Sequence, residues 1–231
     1  MEKRLILISS LLIFTILING CSSLNHVPKV KLINEESSPL LETGIRQSIG
    51  MDNGKAIINL GVSSVVDNYT GIIIGRKMDR IASQVALIEG ASVDSIEDAR
   101  NLKAVKITFD SGVLFPIGKS TLNSKSIPGL KNLAEILVSN QTIDIAIMGH
   151  TDNQGLFVVN QELSQNRAQA VADFLQQNNV SIAQFKVVIG KNSSEPLRDN
   201  NTTIGRAVNR RVEVYMYASK QMIQESQQLA K

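Results

Sequence analysis

Strands and helices alternate through the second half of this 231-residue sequence, which predicts an α/β sandwich: one sheet with helices packed against it. Three observations predict it. Apolar residues alternate with polar ones between Lys103 and Asp110. They return at helical spacing within 122–138 and 163–178. A further strand-like run follows each helical stretch, at Ile143–Ile147, Phe185–Ile189 and Val212–Met216, so the order reads β-α-β-α-β-α-β.

Each element has its own signal. Val105, Ile107 and Phe109 alternate with Lys106, Thr108 and Asp110, the pattern of a half-buried strand. Leu122 to Val138 reads as a helix with Leu130, Leu133, Ile136 and Leu137 on one face, and Pro128 puts the start of its regular part near there. Ile143, Ile145 and Ile147 make the second strand, which ends at Gly149. Leu163 to Asn178 is the strongest helix, with Val171, Phe174 and Leu175 on one side. Phe185 to Ile189 is the third strand. A short helix at Ile204 to Asn209 leads into the fourth, where Val212, Val214 and Met216 alternate with Glu213 and Tyr215. Residues 219–231 are polar and Gln-rich, a frayed tail or an exposed helix.

Composition narrows the function classes. Hydrophobic residues are 43% of the chain but aromatics only 4%, with no Trp, so the core is built from Ile, Leu, Val and Ala. That suffices for one domain of a hundred-odd residues. Twenty-four basic residues face 21 acidic ones with no dense basic run, which argues against a nucleic-acid partner. The single cysteine, Cys21, forms no internal disulfide and is a poor basis for a metal site, so neither metal nor cofactor is expected.

The position of Cys21 gives it a different meaning. Lys3 and Arg4 precede an apolar run from Leu5 to Ile18, shorter than the roughly 20 residues that span a bilayer and of the length found in secretory signals. The junction Ile18-Asn19-Gly20-Cys21 resembles the lipobox read by lipoprotein signal peptidase, with Asn19 a departure from the small residue usual there. The resemblance implies a signal peptide over 1–20 and lipidation at Cys21. The other reading is an ordinary signal with a chance cysteine, or an uncleaved anchor. Ser22 stands where an Asp would resemble an inner-membrane retention signal, so the outer membrane is favoured. Residues 22–43, broken by Pro28 and Pro39, read as a tether able to reach roughly 70 Å.

Two residues resist a pure packing account. Asp152 follows the second strand at once, in Gly149-His150-Thr151-Asp152, and Arg167 interrupts the apolar stripe of the long helix. In such a fold a strand's end lies near the next helix's start, so the two can share a pocket. They are equally readable as a turn-starting Asp and an Arg that snorkels from the core's edge.

The surrounding motifs decide between these. Gly149-His150-Thr151-Asp152-x-x-Gly155, Asn160-x-x-Leu163-Ser164-x-x-Arg167-Ala168 and Gly205-Arg206-Ala207-x-Asn209-Arg210-Arg211-Val212-Glu213 resemble the signature of the OmpA-like peptidoglycan-binding domain. That family includes the peptidoglycan-associated lipoprotein and the C-terminal part of flagellar stator subunits. The match runs over about 103–218 with order and spacing kept. Asn192 replaces a glycine common in the family, and Asn tolerates a positive φ better than most residues.

The resemblance implies helices on one mixed sheet, within a domain over 91–218. It implies a non-catalytic protein that binds the diaminopimelate of the stem peptide and tethers the outer membrane to the cell wall from its periplasmic side. Asp152 would take the ligand's ammonium and Arg167 its carboxylate, through the two parallel hydrogen bonds that only a guanidinium offers. Asn160 would hydrogen-bond the peptide, while Asp110 and Arg210 close the pocket. Arg206 and Arg211 are expected to be structural or exposed. Some lipoproteins of this kind carry a glycine zipper before the domain, and residues 44–90 resemble it in Gly71-x-x-x-Gly75 and Met78-Asp79-Arg80. On that reading 55–66 and 71–88 are two helices joined at Asp67–Thr70, with small residues letting their backbones approach. A small helical hairpin without a separate role is the alternative.

Three rivals are weaker. An enzyme would use His150 beside Asp152, but no HExxH, CxxC or nucleophile-elbow pattern accompanies them, and His150 is expected to pack locally. A stator-like protein would need an uncleaved transmembrane helix, and a porin-linked form a β-barrel segment before residue 103.

Overall fold

The computed structural model describes residues 49–52, 55–58, 66–98 and 100–231, with side chains from residue 66 onward. The expected signal peptide, Cys21 and the tether lie outside the described residues.

A short antiparallel pair, β1 (Ile49–Asp52) and β2 (Lys55–Ile58), comes first. Lys55–Ile58 was expected to open a helix and is extended instead, consistent with the β-branched pair Ile57-Ile58. Helix α1 (Asn68–Val85) follows. The supposed joint at Asp67–Thr70 is its start: Asp67 caps it, accepting from the Thr70 N–H at 2.9 Å. Its buried face, Thr70, Ile74, Met78, Ile81 and Val85, returns every three or four residues, and the four apolar members enter the main core. A Cβ at Gly71 or Gly75 would meet nothing within 4 Å, so the expected close helix approach is not seen among the described residues.

The sheet has five strands in the order β3-β4-β7-β5-β6: β3 (Ala91–Glu97), β4 (Lys103–Asp110), β5 (Ile143–Gly149), β6 (Phe185–Gly190) and β7 (Arg211–Ala218). It is mixed, with β5 and β6 parallel and the other pairs antiparallel. Four strands stand where the alternation places them. The fifth, β3, is an edge strand that alternates poorly because most of its side chains are exposed.

Helices α2 (Ser111–Leu114), α3 (Ile127–Ser139), α4 (Phe157–Gln177), α5 (Thr203–Asn209) and α6 (Lys220–Leu229) complete the fold. Pro128 sits in the first turn of α3, where its missing N–H costs nothing. The Gln-rich C-terminal stretch is helical, and α6 packs against α1 with Met222 and Ile223 in the core. Central strand β7 is buried along its whole length. Val212, Val214, Met216 and Ala218 join the helix-side core, and Tyr215 and Tyr217 belong to the cluster on the opposite face.

Helix α4 lies close over the ends of β5 and β6. A Cβ at Gly149 would overlap the Ser164 carbonyl oxygen, and one at Gly190 the Gln165 backbone. Gln165 Oε1 accepts from the Gly190 N–H at 2.7 Å, and Gln161 Nε2 donates to the Gly190 carbonyl at 2.9 Å. Two glycines and two glutamines thus fix the height of α4 over the sheet.

Candidate functional site

The loops that follow β4, β5 and β6 meet at one end of the sheet. Past Gly149 the chain stays in register for two residues: His150 N–H donates to the Arg211 carbonyl and Thr151 N–H to the Asn192 carbonyl, each at 2.9 Å. It then turns. Asp152 Oδ1 accepts from the Gln154 N–H at 3.0 Å, and Gly155 takes φ 98°, a left-handed conformation open to glycine.

Asn160, in the first turn of α4, clamps this loop. Its Nδ2 donates to the Gln154 carbonyl at 2.8 Å and to the Asp152 carbonyl at 3.3 Å. Asn160 is expected to hydrogen-bond a ligand peptide; its amide nitrogen holds the acid's own loop. Asn192 braces the other side, with φ 52° and Nδ2 donating to the Phe157 carbonyl at 3.0 Å. Its tolerance of positive φ was legible in the sequence, but its bracing role was not.

Arg167 lies two turns beyond Asn160 and is 4% exposed. Its Nε donates to the Lys119 carbonyl at 3.0 Å and its guanidinium lies 5.3 Å from the Phe115 ring centre, a cation–π distance. Its Nη1 is buried with no hydrogen-bond partner among the described residues. Burial pushes the Arg167 pKa down, the charge of Arg210 pushes the same way, and Asp152 pulls back. Asp152 is paired with Arg210, whose Nη1 lies 2.6 Å from its Oδ2. The structure therefore gathers Asp152, Arg167, Asn160 and Arg210. Asp110 stands at the same end of the sheet but is exposed, its Oδ1 capping α2 through the Gly112 N–H at 2.6 Å.

His150 belongs to another environment. It is buried, with Nε2 3.4 Å from Glu213 Oε2. Glu213 also accepts from Arg211 Nε at 2.8 Å and from the Tyr215 hydroxyl at 2.7 Å. Arg211 is buried and structural, as expected. Among the described residues no cluster of His, Cys, Asp and Glu is arranged to hold a metal.

Comparison with known proteins agrees with this architecture. The chain is 36% identical to the peptidoglycan-associated lipoprotein of Legionella pneumophila over 108 residues, 46% of this chain and 60% of that one. It is 26% identical to the probable lipoprotein YiaD of Escherichia coli over 238 residues, covering 93% of this chain and 98% of that one. Among solved structures it matches the cell wall anchor of the T6SS from Pseudomonas aeruginosa with a TM-score of 0.51 and 26% identity, over 62% of this chain and 97% of that one. The chain spans 33% to 55% of the length of the outer membrane porins and the motility protein that it also matches. Residues 114–210, from the end of α2 to the residue before β7, match the model of the OmpA family.

Proposed function

We propose that this chain is a cell-wall tether: a lipoprotein whose domain holds the diaminopimelate of the peptidoglycan stem peptide while an acylated Cys21 holds the outer membrane. The observation that carries the reading is Arg167, a buried cation with an unpartnered Nη1 beside an acid that already has a partner. A buried guanidinium without a full set of acceptors is costly to maintain for stability alone. It suits a site whose carboxylate arrives with a ligand.

The ligand's side chain ends in an ammonium and a carboxylate on one carbon. Arg167 receives the carboxylate and Asp152 the ammonium. Asn160 holds the Asp152 loop and offers its side-chain carbonyl to the peptide, while Asp110 and Arg210 form the rim. Leu156, Phe157, Val158 and Val159, all largely exposed between Asp152 and Asn160, give apolar contact to alanine methyls of the stem peptide. A single site of charge-assisted bonds, each worth roughly 1.5–3 kcal/mol, binds one peptide modestly. Many copies on one membrane facing a polymer supply the rest by multivalency. The similarity to a peptidoglycan-associated lipoprotein and to a cell wall anchor supports the reading.

The test is co-sedimentation of the full chain with purified sacculi, run beside a zymogram for wall hydrolysis. Retention on diaminopimelate walls without clearing is the expected result. Equal retention on lysine walls would mean that another contact holds the wall.

A further inference from the structure

We propose that Arg210 makes this site select a zwitterion: it occupies Asp152 until a ligand brings, with its ammonium, a carboxylate for the guanidinium to follow. The inference rests on the reading that the site takes diaminopimelate. Arg210 Nη1 lies 2.6 Å from Asp152 Oδ2, and the two side chains differ in freedom, 42% exposed against 11%. The acid is fixed by its loop, whereas the arginine side chain has room to withdraw. Its backbone does not follow, because its N–H donates to the Arg206 carbonyl at 3.1 Å and its carbonyl accepts from Ser111 at 2.9 Å. Arg167 is close enough for the charge of Arg210 to disfavour its own, and its bond to Lys119 and contact with Phe115 hold it in place.

Charge then sets the selectivity. Around Asp152, with Asp110 on the exposed rim and engaged in capping α2, the two guanidiniums and one carboxylate sum to +1. A ligand with an ammonium alone must evict Arg210, offers it no anion, and adds a third cation. A zwitterion leaves the net charge unchanged. Its ammonium replaces Arg210 on Asp152, and its carboxylate lies between the two guanidiniums. Arg210 thus penalises amine ligands and rewards the zwitterion, a role distinct from bracing the loop.

The test uses two soluble muropeptides, one ending in diaminopimelate and one with that side-chain carboxylate converted to the carboxamide. The full chain is titrated with each by calorimetry. Wild type should prefer the free carboxylate. Arg210→Gln should narrow that preference by about tenfold and bind the amidated muropeptide more tightly than wild type does, a gain that lost structure does not produce. Arg210→Lys, which keeps the charge, should retain the preference and carries the comparison if the Gln variant unfolds. Equal proportional loss for both ligands in Arg210→Gln would make Arg210 a brace and overturn the proposal. A wild type without preference between the two also overturns it. A wild type that binds neither sinks the diaminopimelate reading itself, and this inference with it.

Discussion

Arg210 and Arg211 are consecutive in the chain and serve different parts of the fold, Arg210 reaching Asp152 at 2.6 Å and Arg211 reaching Glu213 at 2.8 Å. The start of β7 produces the split, because successive side chains of a strand point to opposite faces. One arginine stands at the open end of the site, and the other lies beneath the sheet with Glu213, Tyr215 and His150.

The two should therefore answer differently to mutation. Arg211→Met leaves Glu213 buried without its guanidinium partner, and should cost about 3–5 kcal/mol in urea unfolding. Arg210→Gln removes a pair with one partly exposed member, and should stay within about 1 kcal/mol of wild type. Comparable losses for the two would contradict the assignment of one pair to the core and the other to the site.

The buried network also sets a pH dependence. Burial foremost holds the His150 pKa below its ordinary 6.5, against the opposing pull of Glu213. Below 6.5 the unfolded chain therefore takes up a proton that the folded chain refuses. Stability falls as pH drops from the unfolded value towards the folded one, by at most about 1.4 kcal/mol per pH unit. Although burial alone would raise the Glu213 pKa, His150 at 3.4 Å and the charge of Arg211 hold it well below 4.5. Its contribution is present above 4.5 and lost at lower pH, in the same direction. Urea midpoints between pH 8 and pH 5 should decline for wild type and stay flatter for His150→Gln. An unchanged slope in the variant would move the effect elsewhere.

What the sequence revealed of the fold follows from what alternates. Strand β4 buries Val105, Ile107 and Phe109 at period two, and β5, β6 and β7 are short apolar runs, so all four were legible; β3, exposed at an edge, was not. The start of α4 was missed by six residues because Leu156, Phe157, Val158 and Val159 break the amphipathic pattern, and Leu156 makes no side-chain capping bond. At the site, spacing brought Asp152 and Arg167 to one end of the sheet. It could not show that Asp152 pairs with Arg210, nor that Asn160 and Asn192 hold the loop between them, because those contacts join residues 6 to 58 positions apart through side-chain geometry.

Helix α1 yields a prediction about where the folding unit begins. A boundary at residue 91 would leave out Ile74, Met78, Ile81 and Val85, all buried in the same core as the sheet. Met78→Ala should cost about 2–5 kcal/mol. A fragment starting at 91 should melt below one starting at 66, measured side by side by circular dichroism. Matching melts would show that α1 is dispensable and restore the boundary at 91.

The site itself gives the most direct prediction. Asp152→Ala and Arg167→Ala should each weaken sacculus binding without unfolding the domain, since the first removes the ammonium's partner and the second the carboxylate's. Leaving one member of a desolvated charge pair unmatched costs about 2–5 kcal/mol, roughly thirtyfold or more in affinity. Arg167→Lys should fall nearly as far. A lysine ammonium reaching the same place offers a point charge where the ligand carboxylate needs two parallel donors, and it gives up the planar contact with Phe115. Added salt should weaken wild type only moderately, because screening acts on exposed charges and Arg167 is 4% exposed. Binding curves on sacculi at two ionic strengths, with melting temperatures for every variant, supply the check. Full binding by Arg167→Ala, or its loss only together with the fold, would remove Arg167 from the site and with it the observation on which the wall-binding reading rests.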